Sequence, residues 1–115
     1  MSTQRYYIVV DNLAKARGPV GELSFTGESP DDFAAQLQRA LREPALFQQW
    51  KALQPDPDAI DDSMGSNDPA STVSAKQHDL RCDVTVTTTL PHSIVKHRIS
   101  LLIGRHWTLR DVTAG

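Results

Sequence analysis

The feature that constrains this chain most is an alternation of apolar and polar residues that runs from Leu80 to Val112. A period of two residues is typical of a β-strand with one buried face. In residues 80–87 the apolar side chains stand at even positions, and in residues 95–109 they stand at odd positions. Short breaks at residues 91–92 and 104–105 divide the run into three parts. The pattern therefore predicts an antiparallel meander that earlier residues pair with or cover.

Parity also predicts the register of this meander, because a slip of one residue turns every side chain to the opposite face. The second hairpin needs an odd loop, and a three-residue turn at residues 103–105 buries Trp107. A two-residue turn at residues 104–105 is the alternative, with Trp107 on the solvent face. The predicted opposed pairs are Cys82 with Leu101, Val84 with Ile99, Val86 with His97, Leu101 with Trp107, Ile99 with Leu109, and His97 with Asp111.

The clearest local signal marks a helix that begins after Ser29. Serine is a favoured N-cap, Pro30 suits the first helical position, and the two aspartates that follow suit the positive end of the helix dipole. Pro44 disfavours helical backbone at Glu43, so the helix should end there. A second short helix is predicted from Pro44 to about Leu53. The residues predicted to face inward are Phe33, Leu37, Ala40 and Leu41, followed by Leu46, Phe47, Trp50 and Leu53.

Two further strands are predicted near the start of the chain. Residues 5–10 are β-branched and aromatic, as in a strand that is covered on both faces or lies near the centre of a sheet. Residues 21–25 alternate and suggest a second strand. A chain of 115 residues fits one domain. We therefore expect one α+β domain over residues 1–115, with an antiparallel sheet of about five strands in ββααβββ order and two short helices packed on one face.

Residues 54–72 differ in composition from the rest, with five aspartates, three prolines and no lysine or arginine. So little apolar content predicts a mobile acidic loop. Asp56, Asp58, Asp61 and Asp62 invite a calcium interpretation, but Ile60 stands where an EF-hand needs a ligand. We expect no metal and no cofactor, because the sequence has no zinc, nucleotide or thiol-redox motif.

The sequence also suggests a compartment. A single cysteine cannot form an internal disulfide. The first residues lack a signal-peptide pattern, and the apolar runs are too short to cross a membrane. We therefore expect a cytoplasmic protein without a membrane partner.

Basic residues and histidines concentrate in residues 73–115, which carry six Lys or Arg, three Asp or Glu, and all four histidines. Two candidate sites follow. His97 opposite Asp111 is an imidazole–carboxylate pair, as in a catalytic triad or in a satisfied structural histidine. The other candidate is an outward nucleic-acid-binding face formed by Arg81, Lys96 and Arg98, although the outward neighbours are mostly threonines rather than stacking aromatics.

The sequence favours a small binding or protein-interaction module without catalytic activity. Its partner would be a second copy of the chain or another protein. The alternatives are a nucleic-acid-binding protein and a small hydrolase or isomerase around His97 and Asp111. An apolar pocket that holds both residues would favour the enzyme, whereas a flat, threonine-rich sheet face would favour a binding module.

Overall fold

The computed structural model describes residues 3–27 and 29–114. Within these ranges the elements, in chain order, are β1 (Gln4–Asp11), α1 (Pro30–Arg42), α2 (Ala45–Ala52), β2 (Thr72–His78), β3 (Arg81–Thr88), α3 (His92–Ile103) and β4 (Trp107–Ala114). The strands form one antiparallel sheet in the order β2-β3-β1-β4. The helices pack on one face of this sheet, and the core lies between the two layers.

The predicted α+β class with an antiparallel sheet is confirmed, but the finer topology is not. The described residues form four strands rather than about five, and the order is βααββαβ instead of ββααβββ. If α1 and α2 are counted as one connection, this is the split βαβ, or ferredoxin-like, arrangement. Two helical crossovers then leave β1 and β3 at the centre of the sheet.

The two central strands, β1 and β3, contribute buried side chains to the core from one face of the sheet. Every second residue is buried on each strand, and the pairing sets Ile8 opposite Val84. The even-position pattern is confirmed for residues 82–86, and so is the central place of residues 5–10, but Leu80 lies in the turn before β3 and is 71% exposed. The buried residues are Tyr6, Ile8 and Val10 on β1 and Cys82, Val84 and Val86 on β3.

Helix α1 begins as predicted. The Ser29 hydroxyl accepts a hydrogen bond from the Asp32 backbone N–H at 3.1 Å, and the Asp32 carboxylate accepts the Ser29 N–H at 3.4 Å. This capping box satisfies two of the free donors at the helix start. The helix ends at Arg42, before extended backbone at Glu43. In α2, Phe47 is buried, but Leu53 just after the helix is 52% exposed rather than inward-facing.

The second strand of the predicted meander is wrong, because residues 92–103 form helix α3. Pro91 is extended just before this helix, and Gly104 ends it with a φ of 63°. Both breaks in the alternation are therefore helix boundaries rather than hairpin turns, and the cross-strand pairs predicted for residues 97, 99 and 101 do not form. The buried residues of α3 are Ile94, Val95, Arg98, Ile99, Leu101, Leu102 and Ile103.

The strand predicted at residues 21–25 is also wrong, since these residues form a turn and a loop. Both edges of β1 are occupied by β3 and β4, so β1 has no edge left for the hairpin. The apolar residues find partners among the helices instead. The Phe25 N–H donates to the Leu102 carbonyl at 2.8 Å, and its ring meets the Phe33 ring edge-on at 5.5 Å. The loop therefore closes the core between α1 and α3.

Strand β4 pairs with β1 through a register shift between Tyr7 and Ile8, which leaves Arg110 as the extra residue of a β-bulge. Directly opposed residues share a face of the sheet. The β4 residues opposite the helix-facing residues of β1 therefore also face the helices. These residues are Trp107, Leu109 and Val112. Trp107 is half-buried rather than fully buried as predicted, whereas Cys82 is fully buried as predicted.

The acidic segment forms two short 3₁₀ turns, Pro57–Ala59 and Asp62–Gly65, and joins β2 at Thr72. Its last residues are anchored. Asp68 is 8% exposed, Ser71 is fully buried, and the Ser71 carbonyl accepts from Arg42 Nε at 2.6 Å. The mobility of residues 54–72 stays a prediction, and these contacts lead us to expect it in residues 54–63.

Candidate functional site

His97 lies on α3 and faces α2 rather than β4. Its ring meets the Trp50 ring at 4.4 Å and the Phe47 ring at 6.2 Å, both edge-on. Burial, followed by the neighbouring Arg98 charge, lowers the pKa of His97 below its ordinary value of 6.5. The imidazole is therefore neutral at pH 7. Neither ring nitrogen has a hydrogen-bond partner among the described residues.

Asp111 lies on β4 opposite Tyr7 and is exposed. Its Oδ1 accepts the backbone N–H of Val112 at 2.8 Å, so this carboxylate does not hold the His97 ring. The predicted pairing of His97 with Asp111 is wrong, because the two residues lie on different elements that do not form a hairpin. The hydrolase or isomerase hypothesis loses the geometry on which it rested. Burial, followed by the Asp83 charge, also raises the pKa of the Cys82 thiol, which makes it a poor nucleophile.

The three basic residues predicted to form a nucleic-acid-binding face lie apart. Arg81 is exposed at the start of β3, and Lys96 is exposed on α3. Arg98 is fully buried inside the helical layer. Because Lys96 and Arg98 belong to a helix and not to a strand, they do not extend the charge of Arg81 across the sheet.

Arg98 is the largest fully buried side chain among the described residues. Its Nη1 donates to the Met64 carbonyl at 3.0 Å, and its Nη2 donates to the Ser66 carbonyl at 3.1 Å. The guanidinium carbon lies 5.0 Å from the centre of the Phe47 ring. Burial lowers the pKa of Arg98 to about 10, so the side chain stays charged at neutral pH. This arrangement indicates a structural role, in which Arg98 holds residues 64–66 against α2 and α3.

The sheet face that points away from the helices is open and rich in threonine. Asp83 is half-buried on this face, with Oδ1 3.3 Å from Arg81 Nε and 4.0 Å from Arg110 Nη1, and Oδ2 3.5 Å from His78 Nε2. Tyr7 is the one Phe, Trp or Tyr of the described strands on this face. Sheets that read single-stranded RNA stack bases on aromatic residues of their central strands. The corresponding outward residues of β3 are Asp83, Thr85 and Thr87.

The two edges of the sheet differ in how they are covered. At the β2 edge, Gln38 of α1 accepts the Val73 backbone N–H through Oε1 at 3.0 Å. Helix α1 also packs along β2. Helix α1 therefore covers this edge near Val73, as natural proteins commonly protect edge strands, whereas Lys76, Gln77 and His78 at its far end are exposed.

Strand β4 forms the other edge, where it is hydrogen-bonded to β1 alone. Its last five residues, 110–114, are all exposed. On its helix-facing side Val112 is 40% exposed, and Trp107 and Leu109 are only partly buried. The edge is therefore long and open, with a row of uncovered apolar side chains, which makes it our candidate functional site.

A groove of about 380 Å³ separates β4 from α3 and extends this edge toward the helical layer. On the β4 side of the groove, Trp107 Nε1 donates to the Gly104 carbonyl at 3.0 Å, so the indole donor is already satisfied. His92 is held in place by its ring, which stacks on Tyr6 with the ring centres 6.1 Å apart. The groove is apolar along β4, where Trp107 and Leu109 lie, and positively charged on its other sides, where Lys96 and Arg105 lie. The described residues that line it are His92, Lys96, Ser100, Gly104, Arg105, Trp107 and Leu109.

Sequence reasoning missed this groove, because it treated residues 92–103 as a strand. A signal for the groove was present on β4, where the apolar parity changes from odd at Leu109 to even at Val112. Such a change within one strand indicates a bulge, and bulges are frequent at sheet edges.

Comparison with known proteins gives no assignment, since no protein-family model, no curated protein and no solved structure matches the chain. Among the described residues, no helix is long and apolar enough to cross a membrane. In the same part of the chain, no group of three or more His, Cys, Asp or Glu side chains is placed to hold a metal ion. The function has to be argued from the surface of the molecule.

Proposed function

We propose that this protein is a small interaction module without catalytic activity that binds an extended segment of another protein along β4. The observation that carries the proposal is the open edge of this eight-residue strand. A peptide that adds a strand to an open edge satisfies its own backbone N–H and C=O groups and those of the edge. The fold supports this mode of binding because β1 fixes β4 along its whole length.

The side chains beside the edge would supply the selectivity. A docked strand directs alternate side chains toward the helices, where they meet Leu109 and Val112 and enter the groove. Val112 is 40% exposed, a larger fraction than Trp107 or Leu109, and the added strand would cover it. Burial of such apolar surface favours association.

A second copy of the chain is the rival occupant, through antiparallel pairing of two β4 strands in a homodimer. Antiparallel pairing along the whole strand would set Trp107 of one copy opposite Ala114 of the other, so the two grooves would lie at opposite ends of the interface. Sedimentation distinguishes such a dimer from the binding of a separate chain. The nucleic-acid and enzyme alternatives have less support, because their predicted residues do not come together.

The test uses Val112→Pro. The Val112 N–H donates to the Asp111 side chain and not to β1. Proline at this position therefore removes the N–H but leaves the backbone hydrogen bonds between β1 and β4 intact. Val112→Thr is the matched control, since it keeps the N–H and a β-branched side chain. Proteins captured from the native host with the wild-type chain are identified, and their binding to each variant is measured by calorimetry.

We expect Val112→Pro to weaken binding of a captured partner by about tenfold or more, because a docked strand would take the Val112 N–H from the Asp111 side chain and proline has no N–H to give. Val112→Thr should retain most of the affinity. Equal binding by a folded Val112→Pro protein, with an unchanged melting temperature, would show that partners use another surface.

A further inference from the structure

We infer that the segment that docks on β4 is acidic, with carboxylate side chains at alternate positions on the side that faces α3. This inference rests on the proposed docking at β4. The charge of the groove supports it. Lys96 and Arg105 line the groove, His92 lies beside them, and none of the described lining residues is an aspartate or glutamate.

The shape of the groove indicates which acidic side chain fits. A helix-facing side chain of the docked strand first passes Trp107 and Leu109 and only then reaches α3. Glutamate has two methylene groups that can lie on this apolar surface, and its carboxylate would extend to Lys96 or Arg105. Long charged side chains often bury the stem in this way and keep the charged end near water. Aspartate is shorter and would leave the apolar surface uncovered.

The opposite side of the docked strand meets a different surface. There β4 presents Thr108, Asp111 and Thr113, together with Arg110 at the bulge. This side carries both signs of charge and therefore selects less by charge. The expected partner sequence alternates glutamate with small β-formers such as threonine, over about eight residues to match β4.

Nucleic acid is also attracted to positive charge, but it has no backbone N–H and C=O groups in strand spacing to pair with β4. A peptide uses both the edge and the charge, so we favour it. The acidic segment of this chain itself, residues 54–72, leads into β2 at the opposite edge of the sheet. The partner is therefore a separate chain.

The test uses three synthetic eight-residue peptides with blocked ends, which repeat Thr-Glu, Thr-Gln or Thr-Lys. Each is titrated into the full-length chain at low salt, and amide shifts are followed by NMR. Glutamine matches glutamate in size without its charge, which isolates the electrostatic contribution. The titrations are repeated with Val112→Pro, with the double variant Lys96→Glu/Arg105→Glu, and with a single-stranded oligothymidylate.

We expect the Thr-Glu peptide to shift amides of β4 and to bind about tenfold more tightly than the Thr-Gln peptide, with the difference shrinking as salt screens the charges. The double charge variant should reverse the preference toward Thr-Lys. Val112→Pro should abolish the β4 shifts for every peptide.

Each other outcome overturns a distinct claim. Equal binding of Thr-Glu and Thr-Gln at β4 would overturn the acidic partner and leave the docking edge intact. Thr-Glu binding that Val112→Pro does not affect, or shifts confined to other strands, would overturn docking at β4. Failure of all peptides, with a dimer in sedimentation that Val112→Pro disrupts, would make a second copy the occupant. Failure without a dimer would overturn both claims, and tight oligothymidylate binding in the groove would replace the peptide with nucleic acid.

Discussion

Replacement of Asp68 by asparagine should lower the free energy of unfolding at neutral pH, because this carboxylate fastens the end of the acidic segment to the sheet. Its Oδ2 accepts the Thr89 backbone N–H at 2.9 Å and the Thr88 hydroxyl at 3.1 Å, and its Oδ1 accepts the Ala70 N–H at 3.0 Å. Asp68 also donates its own N–H to the Leu41 carbonyl at the end of α1. An asparagine keeps the shape but replaces one acceptor oxygen by a donor, so some of these bonds must break.

The pKa of Asp68 gives the magnitude. The hydrogen bond from the Thr89 backbone is the largest cause that lowers this pKa, from 3.8 to about 2. One unit of pKa corresponds to about 1.4 kcal/mol, so the ionised carboxylate contributes about 2 kcal/mol. Because the folded-state pKa is depressed, this stability is fully present above pH 3.8 and is lost as the pH falls toward 2.

Urea denaturation of the wild type and of Asp68→Asn at pH 7, and then in steps down to pH 2, measures both effects. The variant should lose about 2 kcal/mol at pH 7 and should show a shallower decline of stability in acid. Asp56→Asn is the matched control in the exposed part of the same segment, and it should change little. A loss below about 0.5 kcal/mol for Asp68→Asn, within the ordinary range of surface substitutions, would show that this carboxylate does not fasten the segment to the sheet.

Buried side chains, the acidic segment and the surface charge can each be tested. Arg98→Ala should cost about 3–5 kcal/mol in urea denaturation, because it leaves a cavity and two carbonyls without their donor, whereas Arg98→Met should cost less because its side chain fills most of that cavity. Cys82 should react with thiol reagents only at the rate of unfolding, and rapid labelling of the folded chain would contradict its place in the core. NMR order parameters in residues 54–63 should fall below about 0.6, and those of residues 67–71 should approach the sheet value of about 0.85. Single- and double-stranded nucleic acids should not bind measurably at low salt, and salt-sensitive binding that depends on Arg81 would reinstate the nucleic-acid hypothesis.

The parts of the fold that sequence predicted well are those where local and tertiary preferences agree. Helix α1 has its N-cap, its proline and its apolar face in one stretch, and each of these acts over a single turn. Strand β3 alternates cleanly because its helix-facing side is buried and its open side meets water. These elements needed no knowledge of distant residues.

Helix α3 was misread because it is apolar around most of its circumference. Its odd positions, such as Val95 and Ile99, imitate a strand, but they also stand four residues apart on one helical face. A run of 12 residues is longer than most strands, which favours a helix. Arg98 concealed the pattern further, because a charged residue four positions after Ile94 is expected in water, and here it is buried.

The candidate site at β4 could not be predicted from the local sequence pattern, for a different reason. Whether β4 has a free edge depends on which strand pairs with β1, and β1 lies about a hundred residues earlier in the chain. Periodicity gives the face of a residue but not the neighbours of its strand. The parity change between Leu109 and Val112 could have revealed the bulge, but not that the edge beyond it is open.

The measurement that tests docking at β4 most directly is a set of intermolecular NOEs between the Thr-Glu peptide and the isotope-labelled chain. We expect backbone contacts in strand spacing between the peptide and residues 108–114, with peptide side-chain contacts to Leu109 and Val112. Contacts to Thr85 and Thr87 on the open face, or to the β2 edge, would contradict docking at β4.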